Sequence, residues 1–127
     1  MLFQLLGIKE RREQAIRNAL AKNAQLMQLT QREIEAAEQK RSALWIEWYQ
    51  ACHEFTGTVD RRHLTEWQET LRNYQTEDND LGLQLEKHRT HYSHLQEEEI
   101  DLRQQLRVAM ISQEKLNYII AENKMQR

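Results

Sequence analysis

The chain has 127 residues, of which 39% are apolar and 30% carry a charge. This composition is too polar for a thick globular core and too regular for a disordered tail, so we expect one thin, elongated domain. The formal net charge of -2 argues against a general nucleic-acid-binding protein, which usually carries a strong basic excess.

The first predicted element is a long helix over about residues 2–56. Seam positions recur alternately four and three residues apart, which is the pattern of a coiled coil, and most of them are apolar. The residues between them favour helix. The expected seam positions are Leu2, Leu6, Lys9, Glu13, Ile16, Leu20, Asn23, Met27, Thr30, Ile34, Ala37, Arg41, Leu44, Trp48, Ala51 and Phe55.

A turn is expected over about residues 57–61, because Phe55 to Asp60 holds the only plausible break in the periodic sequence. Gly57 can adopt the left-handed conformation that ends a helix, and Asp60 or Thr65 can cap the next helix. An unbroken helix that forms a parallel dimer is the disfavoured alternative, because Gly57 and its β-branched neighbours are poor helix formers.

The second predicted helix covers about residues 62–124 and keeps the same period without a phase slip. A seven-residue period held over this length predicts a left-handed supercoil. Its expected seam positions are Leu64, Trp67, Leu71, Tyr74, Asp78, Leu81, Leu85, His88, Tyr92, Leu95, Glu99, Leu102, Leu106, Ala109, Gln113, Leu116 and Ile120.

Together these elements predict an all-α fold, a long antiparallel two-helix coiled-coil hairpin in which residues 1–127 form a single domain. Apolar positions match best when the numbers of facing residues add up to about 122, and a register near 115 ranks second. Either register brings Arg41 next to Asp78, so we expect an ion pair in the seam. Such a pair fixes alignment more than it adds stability, because desolvation offsets much of the attraction.

No catalytic constellation or phosphate-binding loop is recognisable, so we expect a protein that is not an enzyme and uses no cofactor. His88, His91 and His94 lie three residues apart, and a pair of such histidines can bind zinc. The usual site needs a third or fourth ligand, which is not evident here, so no metal site is predicted. Cys52 is the only cysteine, which favours a reducing compartment. The apolar start of the chain is too short to span a bilayer and lacks a signal-peptide cleavage site, which favours the cytoplasm.

Both ends of the predicted hairpin carry surplus apolar residues. Near the turn, Trp45 and Tyr49 fall beside the seam, where they either contact a partner or broaden the seam packing. At the other end we expect docking into a partner, with a frayed or self-associating end as the alternative. The apolar residues there are Leu2, Phe3, Leu5, Leu6, Ile8, Leu116, Tyr118, Ile119 and Ile120, and the basic ones are Lys9, Arg11, Arg12, Arg17, Arg107 and Lys115.

The length, the hairpin pattern and the local sequence around the turn resemble the FliJ and YscO family, the central stalk proteins of flagellar and virulence type III secretion systems. The local piece is Gly57-Thr58-Val59 followed by Arg62-His63-Leu64-Thr65-Glu66-Trp67-Gln68. The virulence-system stalks are the more similar branch. The resemblance implies a non-catalytic stalk that inserts into the hexameric secretion ATPase, promotes its assembly and activity, and links it to the export gate.

The resemblance also implies binding residues, carried over by position. Contact with the ATPase ring would involve Leu2, Leu5, Leu6, Arg11, Arg12, Arg17, Arg107, Leu116 and Ile120. Contact with the cytoplasmic domain of the export gate would involve Trp45, Tyr49 and Tyr74. Chaperones are further expected partners, and the expected location is the cytoplasmic face of the inner membrane, without insertion into it. The alternative function is a structural coiled-coil adaptor without an ATPase partner.

Overall fold

The computed structural model describes residues 1–54 and 61–125, and these residues form two α-helices. Helix α1 covers Leu2–His53 and helix α2 covers Arg61–Met125. The two helices pack against each other, so the predicted all-α helical hairpin is confirmed. Neither helix holds, in its described residues, a stretch long and apolar enough to cross a membrane.

The predicted turn falls largely outside the described residues, which exclude Phe55, Gly57 and Asp60. On its two sides, α1 ends at His53, where residue 56 was expected, and α2 begins at Arg61, where 62 was expected. Thr65 lies inside α2, and its hydroxyl donates to the Arg61 carbonyl at 2.9 Å. Thr65 is therefore not the cap of this helix.

The predicted seam positions are the positions that the helix pair shields from solvent. Every described seam position on α1 is buried or half-buried. The same holds on α2 with one exception, Leu64, which lies in the first turn of the helix and is 38% exposed. Most residues between the seam positions are exposed. The heptad pattern thus predicts the packed face of each helix.

The helix pair divides into two compact units, and each unit contains a part of both helices. The terminal unit comprises Met1–Gln28 and Ser93–Arg127, and the middle unit comprises Leu29–Tyr92.

The middle unit is built around a small apolar core. Ile34, Ala37 and Leu85 form this core, and Tyr92 packs against it. Leu85 is only 2% exposed. Across the seam, His88 Nδ1 lies 3.2 Å from Glu33 Oε2. The numbers add up to 121 for this pair and to 119 for Arg41 and Asp78, and both values are closer to the register near 122 than to the register near 115.

The terminal unit has the same register and a more polar seam. Lys9 Nζ donates a hydrogen bond to Ser112 Oγ. Ser112 is the neighbour of Gln113, the residue that a register of 122 places opposite Lys9. Asn23, which is buried, donates from Nδ2 to the Leu95 carbonyl at 2.9 Å. Leu95 lies one helical turn before Glu99, the residue that a register of 122 places opposite Asn23.

Candidate partner-binding surfaces

The residues assigned to ATPase-ring contact separate into a shielded and an exposed set. Leu116 is only 5% exposed, and Leu2, Leu6 and Ile120 are half-buried. All four occupy seam positions, where their side chains pack between the two helices. The exposed members of the assignment are Leu5, Arg11, Arg12, Arg17 and Arg107.

The arginines of the terminal unit differ in their partners. Arg17 Nη2 lies 2.8 Å from Glu13 Oε1, one turn away on the same helix. Arg11 Nε donates to the Gly7 carbonyl at 3.2 Å. Three arginines pair with no carboxylate of the described residues, namely Arg11, Arg12 and Arg107. Their charge is therefore open to a partner.

The terminal unit also exposes apolar residues that are not among those assigned to ATPase-ring contact by the resemblance. A contiguous exposed apolar surface on a soluble protein marks an interaction site more often than a lone exposed side chain does. The exposed apolar residues beyond the assigned set include Phe3, Ile8, Ile100, Val108, Met110, Ile111, Tyr118, Ile119 and Met125. The sequence already pointed to Phe3, Ile8, Tyr118 and Ile119, whereas the others, which fall off the seam series on α2, were missed.

Two shallow depressions run along α2 in this unit. One, of about 320 Å³, is lined by residues that include Arg103, Arg107 and Met110. The other, of about 510 Å³, includes Tyr118 and Ile119. Each is lined by both apolar and charged side chains.

The middle unit holds a polar cluster around Asp78. Arg41 Nε lies 2.8 Å from Asp78 Oδ1, so the structure contains the ion pair expected from the sequence. Arg41 Nη2 reaches Asp78 Oδ2 at 3.4 Å. The indole N–H of Trp45 donates to the same carboxylate, and the Arg41 guanidinium lies 5.0 Å from the centroid of the Trp45 ring. Gly82 faces this guanidinium, and a Cβ there would lie 3.2 Å from Arg41 Nη2.

The electrostatics of this cluster keep both charges in place. The hydrogen bonds from Arg41 lower the pKa of the Asp78 carboxyl, partial burial acts in the opposite direction, and the bond from Trp45 adds to the lowering. The same pairing raises the pKa of Arg41. Asp78 is therefore ionised at neutral pH, and the cluster is a structural ion pair.

The three residues assigned to the export gate have different environments. Tyr74 is half-buried at its seam position. Trp45 is half-exposed, but its N–H is bonded to Asp78. Tyr49 is 66% exposed, and its ring lies 4.2 Å from that of His53. Ile46, which the sequence assignment did not include, is also exposed. We call Trp45, Ile46 and Tyr49 the aromatic surface, because they lie on one face of α1.

His88, His91 and His94, the three closely spaced histidines of α2, are each engaged in polar contacts. His88 faces Glu33, His94 Nδ1 lies 3.8 Å from Glu97 Oε2, and His91 Nδ1 lies 3.5 Å from the Thr30 hydroxyl. In the described part of the chain, no three His, Cys, Asp or Glu side chains are grouped so that they could hold a metal ion.

The chain matches no protein-family model, and no curated protein or solved structure is significantly similar to it. The exposed surfaces of the two units therefore carry the functional interpretation.

Proposed function

We propose that this chain is the central stalk of a type III secretion system. In this role it enters the pore of the hexameric secretion ATPase, promotes assembly and activity of the hexamer, and links it to the export gate without catalysing a reaction itself. The observation that carries the proposal is the surface of the terminal unit, where exposed apolar side chains lie beside arginines without a described carboxylate partner.

The chemistry of this surface suits a contact inside a protein ring. Phe3, Leu5 and Tyr118 offer apolar area that leaves water on binding. Arginine and aromatic residues are the side chains most often responsible for binding energy at interfaces. Arg11 and Arg107 are exposed and belong to different helices. Ring subunits at different positions around the helix pair would therefore meet different side chains.

A stalk of this kind acts by differential binding. A ligand shifts a conformational equilibrium only by the difference in its affinity for the two states. An asymmetric stalk meets each subunit of a symmetric ring with different side chains, and so stabilises some subunit conformations over others. Higher hydrolysis rates and tighter assembly of the hexamer follow from this shift.

Contact with the export gate is assigned to the aromatic surface of the middle unit. In this assignment Ile46 joins Trp45 and Tyr49 and takes the place of Tyr74, because Tyr74 is half-buried in the seam. The expected place of work is the cytoplasmic face of the inner membrane, and chaperones are further proposed partners without assigned residues.

The stoichiometry of the complex tests this function. Native mass spectrometry of the chain mixed with its secretion ATPase should show one copy bound to six ATPase subunits. The double variant Arg11→Glu/Arg107→Glu should reduce the bound fraction about tenfold or more, as expected for reversing two interface charges. The matched control Arg32→Glu/Arg72→Glu reverses two exposed charges in the middle unit and should bind like the unmodified chain.

Two results would contradict the proposal. One is the absence of a complex although the chain is folded. The other is equal binding by both double variants. Either result would leave a structural coiled-coil adaptor without an ATPase partner as the better account.

A further inference from the structure

A second heptad series runs along each helix of the terminal unit, directly before the seam. Each of its members precedes a seam residue by one position. Most of its members are apolar or small, and those with large apolar side chains are exposed, with Val108 at 59%. Over residues 5–19 and 105–119, the part beside the groove described below, the series comprises Leu5, Ile8, Arg12, Ala15 and Ala19 on α1, and Gln105, Val108, Ser112, Lys115 and Ile119 on α2.

The two series border the same side of the unit. In an antiparallel helix pair, positions that precede the seam on either helix lie on one side of it. Between them is a groove of about 340 Å³, whose walls include Arg12 and Ile16 from α1 and Val108 and Ala109 from α2. Lys9 lies at the base of this groove, where its Nζ donates to Ser112 Oγ.

The charged side chains that line this groove have one sign. They are Lys9 and Arg12, and no acidic side chain of the described residues lines it. Neither cation forms an ion pair with a carboxylate of the described residues. Further toward the middle of α2, the same series continues with the acidic residues Asp101 and Glu98, so the positive charge is confined to the groove itself.

The opposite side of the unit, one position after the seam, carries both signs of charge. Its members include Glu10 and Arg17 on α1, and Arg107 and Glu114 on α2. Apolar surface combined with charge of positive sign alone is therefore a property of the groove.

We propose that this groove docks one amphipathic helix of a partner protein, with acidic residues beside the apolar stripe of that helix. An apolar stripe at spacings of three and four would lie against Leu5, Ile8 and Val108, and so complete a three-helix arrangement. Acidic side chains at the edges of the stripe would neutralise Arg12, which lines the groove. A second copy of this chain is a different occupant, which the experiment below distinguishes.

Fluorescence anisotropy with two synthetic peptides tests the proposal. The acidic probe is a helical peptide of about three heptads, with leucines at seam spacing and glutamates flanking them. The matched probe has lysine in place of each glutamate. The acidic probe should bind at least about tenfold more tightly, a difference of about 1.4 kcal/mol. Non-specific attraction would favour the lysine probe, because the net charge of the chain is -2.

Matched variants locate the binding site. Arg12→Glu and Val108→Glu should each weaken binding of the acidic probe about tenfold or more, because both side chains line the groove. Arg11→Glu makes the same change at the adjacent exposed position, and Ile100→Glu replaces an exposed apolar residue of α2 outside the groove. These two controls should bind the probe normally, and circular dichroism should show equal helix content for all variants.

Three results would overturn the proposal. They are equal binding of both peptides, equal loss with Arg11→Glu and Arg12→Glu, and a concentration-dependent dimer that Arg12→Glu or Val108→Glu abolishes. The last result would assign the groove to a second copy. The peptide test needs no ATPase, and Arg11 and Arg107 do not line the groove, so its failure and that of the proposed stalk function are separate outcomes.

Discussion

Three polar residues in the seam of this protein make hydrogen bonds to the facing helix. Lys9 bonds to Ser112, Asn23 to the Leu95 carbonyl, and Arg41 to Asp78. Each bond joins positions whose numbers add up to a value near 120, so a slip of the helices by one turn would break all of them. Polar residues at seam positions are known to specify alignment at some cost in stability. We therefore attribute the choice of register to these residues.

Replacing Asp78 by Asn should change how stability depends on pH. Because its pKa is lower in the folded chain than its ordinary value of 3.8, the ionised pair stabilises the fold above about pH 4. This stabilisation is lost as the pH falls through the lower folded value. Between about pH 5 and 2, the melting temperature of the unmodified chain should therefore fall more steeply than that of Asp78→Asn.

Thermal melts followed by circular dichroism measure this difference. Asp80→Asn, at an exposed position two residues away that forms no ion pair with the described residues, is the control and should follow the unmodified chain. An identical acid profile for Asp78→Asn and the unmodified chain would show that the Arg41–Asp78 pair makes no contribution.

The residue-scale features differ in how far the sequence predicts them. The Arg41–Asp78 pair follows from the heptad pattern alone, because both residues occupy facing seam positions. The bond from Trp45 to Asp78 does not, because the indole reaches the carboxylate from a position beside the seam and its rotamer is set by packing. Leu116 was assigned to a partner by resemblance, although its seam position already indicated burial.

At the scale of the helices, the period of the sequence determines most of the structure. A seven-residue repeat predicts which face of each helix is packed, and only Leu64 among the described seam positions departs from it. The second series on the groove side was not recognised, because its apolar members are separated by Arg12, Ser112 and Lys115. The sequence also predicted the end of α1 near residue 56, whereas the helix ends at His53, because local propensity defines helix ends poorly.

The same substitution, Leu to Ala, at a buried and at an exposed position of α2 tests the packing of the middle unit. Leu85 is 2% exposed and Leu83 is 66% exposed. Leu85→Ala should lower the free energy of unfolding by about 3 kcal/mol, because it leaves a cavity in the core of Ile34 and Ala37. Leu83→Ala should change it by less than about 0.5 kcal/mol, since the side chain is largely solvated already.

Urea denaturation followed by the helical circular dichroism signal gives both values. The two variants share the helix, the residue type and nearly the same position, so differences in helix propensity cancel. Equal effects of Leu85→Ala and Leu83→Ala would mean that the two helices do not pack through the predicted seam.

At the scale of the whole molecule, the two units present different chemistry. The terminal unit exposes apolar residues beside arginines such as Arg11 and Arg107, which have no carboxylate partner among the described residues, whereas the middle unit exposes the aromatic surface and contains the half-buried Arg41–Asp78 pair. Two chemically distinct surfaces suit a protein that connects two partners. The identity of these partners could not be predicted from periodicity, because coiled coils with many functions share it. The stalk proposal therefore rests on the resemblance together with these surfaces.

The most direct test of the stalk proposal is the steady-state rate of ATP hydrolysis by the cognate secretion ATPase, measured near the concentration at which its hexamer assembles. We predict a several-fold higher rate in the presence of the chain, retained by Arg32→Glu/Arg72→Glu and lost by Arg11→Glu/Arg107→Glu. An unchanged rate at saturating concentrations of the folded chain would contradict the proposal.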